Sequence, residues 1–192
     1  MSGALGMNET PYSPLDQDPN ITFHAVGVAL THWEYFENSL ATLHSIFKRK
    51  PYLVDAMREF GNENRVTSKR IQMLDQAGKQ YFYPNADDRL ETRFAGIIKD
   101  AEGLSTARHK IAHGVVTSIQ VFDPGPNAKP DDLIVAKIMW GVGAPTYAGQ
   151  TLRKPGDTYM FGSQKIMEYV SDFDQLRVAA YQLAHDLVPP PA

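Results

Sequence analysis

An apolar stripe near the start of the chain limits the possible folds more than any other feature. Val26, Ala29, Trp33, Phe36, Leu40, Leu43 and Phe47 recur at steps of three and four, the spacing of one face of an α-helix. The pattern predicts a helix from Ile21 to about Arg49, bounded by Pro51. At ~1.5 Å per residue such a helix would run roughly 40 Å, a length usual in helical bundles. It has to bury its stripe against other elements, because packing of an amphipathic face supplies most of a helix's stability.

Further helices follow from the same spacing. A short one is expected at 52–60, closed by Gly61 and Asn62, and another at about 65–82 with Ile71, Leu74, Ala77 and Tyr81 on one face. "YPNADD" reads as a turn in which Asn85, Asp87 or Asp88 caps the next helix. That helix carries Leu90, Phe94, Ile97, Ala101, Leu104, Arg108 and Ile111, with Gly114 as the stop just past its end. The period then changes. "VVTSIQVF", "DLIVAKIMW" and "DTYMFG" are rich in β-branched and aromatic residues and are separated by "DPGPNAKPD" and "GVGAPTYAGQTLRKPG". Helix returns near Ser163, with Ile166, Val170, Phe173, Leu176, Ala180, Leu183 and Leu187 in register, and "PPPA" ends the chain.

The expected fold is therefore mainly α: a helical bundle with a small antiparallel β meander inserted at about 115–162. It forms a single domain over 21–188, preceded by a mobile tail at 1–20 whose Pro, Asn, Asp and Ser content favours disorder. A chain of 192 residues has room for one such domain. There is no cysteine, which excludes disulfides, thiolate metal sites and a Cys nucleophile. The tail has no basic start and the chain has no run of about 20 apolar residues, so neither a signal peptide nor a membrane anchor is expected, and the expected location is cytoplasmic. A formal charge of −3 is not the footprint of a protein that coats nucleic acid, although an acidic chain can hold a local basic groove.

One stretch breaks the apolar logic. "TARHKIAHGVV" (106–116) puts Arg108, His109, Lys110 and His113 within six positions at the end of a striped helix. Three readings stay open. The helix C-terminus favours cations, and the stem of Arg108 can cover the core while its head reaches solvent. His109 and His113, at i and i+4, share a face and are close enough for one metal. Arg108 and His113 can also form a catalytic pair. Five residues apart, they lie about 140° apart on a regular helix, and they converge if the last turn opens at Gly114.

Spacing argues against the metal. "HKIAH" stands where H-E-x-x-H is required, no Glu-x-x-His occurs, and His32 and Glu37 of "HWEYFENSLATLH" do not share a face with each other. Neither a metal nor a cofactor is expected. Glu37 and His44 border the first stripe and read as buried interhelical hydrogen-bonding residues. Glu37 is also placed to counter the charge of Arg108 and orient it. There is no G-x-S-x-G, G-x-G-x-x-G or G-x-x-x-x-G-K-[ST].

"RHKIAHG" resembles the signature of the HEPN superfamily, in which Arg is followed after four to six residues by His at the end of a long bundle helix. Arg108 and His113 fit with four residues between, "IAHG" matches a frequent ending, and "WEYFENSL" is similar to the family's first helix with its buried acid. The resemblance covers about 21–114 and the last helix, and its specific part is seven residues. His109 stands where the family most often has Asn, and the β meander lies outside the minimal bundle.

The resemblance implies a metal-independent endoribonuclease, often a toxin or phage-defence effector with an antitoxin partner, acting on RNA as a homodimer whose motifs face each other. On that basis His113 transfers a proton at the ribose 2′-hydroxyl or the leaving 5′-oxygen. Arg108 holds the scissile phosphate, His109 positions or polarises, and Glu37 orients the arginine. Family members that keep the fold without activity imply the alternative of a catalytically inactive binding or dimerisation protein.

Overall fold

A computed structural model describes residues 14–62, 66–122, 136–143 and 159–188. The protein is mainly helical, with a small three-stranded antiparallel sheet. Five α-helices are described: α1 (Pro19–Phe47), α2 (Leu53–Asn62), α3 (Thr67–Phe82), α4 (Asp88–His113) and α5 (Ser163–Leu187). The strands are β1 (Val115–Phe122), β2 (Ala136–Gly143) and β3 (Met160–Phe161). The expected loops "DPGPNAKPD" and residues 144–156, and the terminal "PPPA", lie outside the described residues. Two compact units are present, one of helices and one built around the sheet, and α1, α4 and α5 contribute to both.

The helical unit comprises Ala29–His109 and the chain from Tyr169 onward. Its core is the stripes read from sequence: Trp33, Phe36, Leu40 and Leu43 of α1, Ile71 and Leu74 of α3, Ala101 of α4, and Phe173 and Leu183 of α5 are all essentially inaccessible. Trp33 meets Phe36 and Phe173 edge to face at 5.2 and 5.0 Å between ring centres, the arrangement favoured by the ring quadrupole. At the other end of α1, Phe47 packs on Tyr81, Phe82 and Phe94. Gly78 of α3 lets that cluster close, because a Cβ there would come 2.2 Å from Cε1 of Phe94.

The ends of these helices have separate causes. α1 stops in a Schellman motif: Lys50 N–H donates to Ser45 O and Arg49 N–H to Ile46 O. The residue in the left-handed position is Arg49, with φ of 50°, where glycine is usual. α4 starts at the expected turn, and among the three capping residues considered it is Asp87 that caps, its carboxylate accepting from Leu90 N–H at 3.0 Å.

The sheet unit comprises the described residues up to Val28 with those of Lys110–Glu168. The strands form a meander in the order β1-β2-β3. Val115 to Phe122 pair with Gly143 to Ala136, and Val142 and Gly143 pair with Phe161 and Met160. The first strand has the expected bounds. The second extends through "GVG", which the sequence pattern assigns to a loop. Gly141 and Gly143 are there because β3 comes close: a Cβ on Gly141 would lie 2.8 Å from Phe161 O, and glycine within a strand often marks such an approach.

The N-terminal boundary also differs from expectation. Residues 14–17 form a 3-10 turn and α1 begins at Pro19, so the stretch expected to be a tail to residue 20 is structured from Pro14. Asp18 and Pro19 explain the start. The Asp18 carboxylate accepts from Asn20 N–H at 2.9 Å, and proline is pre-set for the first helical position. Asp16 is fully buried and accepts from Ser163 N–H at 2.7 Å, capping the start of α5. Thr22 of α1 donates to Trp140 O of β2. Among the described residues no helix is long and apolar enough to cross a membrane.

Candidate functional site at the end of the fourth helix

The C-terminal turn of α4 collects the cations singled out from sequence. α4 is helical without interruption to His113, so Arg108 and His113 keep the phase of a regular helix, about 140° apart. The helix ends at Gly114, yet its last turn does not open. Gly114 acts through space rather than through a left-handed backbone. A Cβ there would lie 2.2 Å from Val142 Cγ1 and 2.7 Å from Lys110 O, so glycine is needed for β2 to pack against the exit of the helix.

Arg108 belongs to the helical unit and its side chain is 26% exposed. Its Nη2 stands 3.8 Å from Glu34 Oε1 on α1, and Glu34 is 62% exposed. That separation is too long for a hydrogen bond, and ion pairs with an exposed partner contribute little. Nε of Arg108 is buried and has no hydrogen-bond partner among the described residues. Of the five donors of this half-buried guanidinium, the one on Nε is thus left without a partner among the described residues.

Glu37 does not orient Arg108. It is 6% exposed, and its carboxylate takes Arg70 and Thr67 of α3 and the Trp33 indole N–H, the last at 3.0 Å. Arg70 supplies the charge expected from Arg108, since α3 rather than α4 brings its cation to this carboxylate. Its place as a buried interhelical hydrogen-bonding residue is as expected.

His109 and His113 are exposed and Lys110 is half-buried. Lys110 and His113 fall in the sheet unit, together with a residue that sequence reasoning does not single out. The Tyr159 hydroxyl donates to Lys110 O at 2.9 Å, and the Lys110 ammonium lies 5.2 Å from the centre of the same ring. "DTYMFG" carries only a strand signal, and nothing in its spacing points at α4.

No group of three or more His, Asp or Glu able to hold a metal occurs among the described residues. His32 faces Asp174, with Nδ1 3.6 Å from the carboxylate, and that carboxylate is engaged by Arg177 at 2.9 Å. The Arg177 hydrogen bond holds the Asp174 carboxyl below the usual range. His44 is fully buried, with Nε2 3.8 Å from Glu59, whose other oxygen binds Lys50 at 2.9 Å. The Lys50 hydrogen bond lowers Glu59 against the opposing effect of burial. Both histidines are built into helix–helix contacts. In comparisons with known proteins, no family model, no curated protein and no solved structure matches the chain.

Proposed function

We propose that the protein is a metal-independent endoribonuclease of the HEPN type, working as a homodimer in a toxin or phage-defence setting. Arg108 is the phosphate-binding group and His113 the proton-transfer group, contributed by the facing motifs of the two protomers, because within one chain α4 keeps the two about 140° apart. One observation carries the reading: Arg108 keeps a half-buried guanidinium whose acidic partner stands 3.8 Å off and whose Nε has no partner among the described residues. Such a group suits a phosphate, which arginine binds bidentately. The end of a helix with His109, Lys110 and His113 beside it in sequence adds positive charge near a polyanion.

In this reading the ribose 2′-oxygen attacks the adjacent phosphorus and the bond to the 5′-oxygen breaks. The products are a 2′,3′-cyclic phosphate and a 5′-hydroxyl. The 2′-hydroxyl gives up a proton and the leaving 5′-oxygen takes one; His113 carries one of these transfers, a task suited to imidazole at neutral pH, and solvent water carries the other. Arg108 neutralises the charge that develops on the phosphate oxygens. His109 positions the phosphate, and Glu37 has no direct part because its carboxylate is committed to Arg70.

The test is a pair of single-stranded oligonucleotides of one sequence, RNA and DNA, incubated with purified protein in EDTA. RNA cut to cyclic-phosphate ends beside intact DNA is the expected outcome. Intact RNA, or DNA cut equally, refutes the reading.

A second reading, a non-catalytic HEPN-like binding protein, is favoured by the uninterrupted helix of α4, which keeps Arg108 and His113 out of phase within one chain. It requires no cleavage of RNA, with any binding weakened by Arg108→Ala.

A further inference from the structure

The last turn of α4 is held from outside the helix. The final four carbonyls of a helix have no intrahelical donor, and Lys110 O is one of them. The Tyr159 hydroxyl fills that role at 2.9 Å. The Lys110 side chain folds back so that its ammonium lies over the face of the same ring, 5.2 Å from its centre. Tyr159 is itself steadied by Phe161 of β3, with ring centres 5.2 Å apart. One residue thus grips both the backbone and the side chain of Lys110.

His113 lies three positions further on, a neighbour of Lys110 on the helix surface. Helix carbonyls point toward the C-terminus, at the amide of residue i+4. The carbonyl of Lys110 is therefore aimed at Gly114, beneath the turn that carries His113. On the other side the chain is fixed by Gly114, which has no room for a Cβ beside Val142 and Lys110 O. His113 stands between these two fixed points. Unclamped helix ends fray, and a proton-transfer group has to stay within hydrogen-bond reach of its substrate atom.

We infer that Tyr159 is a positioning residue, which holds the terminal turn of α4 so that His113 meets the ribose; this rests on the ribonuclease reading. It does not touch the substrate and acts through Lys110. Tyr159→Phe is the informative variant, since it keeps the ring under the ammonium and deletes only the hydroxyl.

Three measurements on the full chain judge it. Hydrogen exchange of the 110–114 amides becomes faster in Tyr159→Phe while exchange within α3 is unchanged. The kcat for RNA cleavage falls on the order of tenfold with KM unchanged, as a small misplacement of a reacting group demands. The Tm drops by no more than about 2–4 °C, as for loss of one hydrogen bond in a chain of this size. Unchanged exchange at 110–114 overturns the clamp. Faster exchange with wild-type kcat overturns the positioning role while leaving the ribonuclease reading intact. A wild-type protein that leaves RNA uncut ends both the reading and the catalytic role of Tyr159, and the exchange data then judge the clamp alone.

Discussion

Arg70 on α3 is the guanidinium that Glu37 on α1 holds. The carboxylate is 6% exposed and also accepts from Thr67 and from the Trp33 indole, so three donors depend on it. Removing one partner of a buried pair leaves the other charge uncompensated. Glu37→Ala is expected to lose about 3 kcal/mol of stability, read as a lower urea midpoint. In a double-mutant cycle Arg70→Ala recovers part of that loss and Arg108→Ala does not. Coupling of Glu37 to Arg108 instead would contradict the observed pairing.

The contrast between Glu37 and Arg108 marks how far the sequence can be read. Periodicity finds the stripes, so Trp33, Leu40, Ile71, Phe173 and Leu183 are core as expected. Periodicity says which face of a helix is buried, not which neighbour it meets, so the partner of Glu37 is not legible. The helix start at Asp18–Pro19 is visible as a capping signal, but the polar composition around it points to disorder. "GVG" looks like a loop because the demand for Gly141 comes from β3, many residues away. Tyr159 escapes for the same reason: its role depends on a contact 49 positions distant in sequence.

Glycines of one region should respond with opposite signs. Gly96 and Gly103 lie within α4, and a Cβ added at either would meet no heavy atom within 4 Å. Alanine at either position is expected to stabilise by about 0.5–1 kcal/mol through helix propensity. Gly114→Ala forces a methyl group against Val142 and the Lys110 carbonyl, and a loss of about 1–3 kcal/mol is expected from overpacking. Thermal denaturation of the three variants decides it, and a neutral Gly114→Ala would remove the packing explanation for that residue.

Arg49 ends α1 with φ of 50°, a conformation that costs an L-residue about 1–2 kcal/mol. Glycine relieves that strain but loosens the unfolded chain, which offsets part of the gain. Arg49→Gly is expected to stabilise by about 0.5–1 kcal/mol. A raised denaturation midpoint with unchanged m supports the Schellman geometry, and a lowered one argues against it.

Among the described residues, three carboxyls contribute to the acid limb of stability. Lys50 holds Glu59 below its ordinary range, Arg177 does so for Asp174 and Arg93 for Asp186, each by a hydrogen bond. At these three groups the folded chain therefore binds fewer protons than the unfolded one as pH falls into the carboxylate range. The stabilisation is present above the ordinary carboxylate range, at about pH 4, and is lost as pH falls through that range and below it. Tm measured from pH 7 down to pH 3 should fall, with a shallower fall in Glu59→Gln. An identical acid slope in that variant would show that Glu59 does not contribute.

Arg108 and His113 together carry the ribonuclease reading, and the rate of RNA cleavage in EDTA by wild type, Arg108→Ala and His113→Ala at equal concentration decides it. The expected result is cleavage by wild type and a loss of about 100-fold or more in each variant, the scale of a lost proton-transfer group or charge stabiliser, with melting curves close to wild type. Equal cleavage by all three proteins, or none by any, would contradict it.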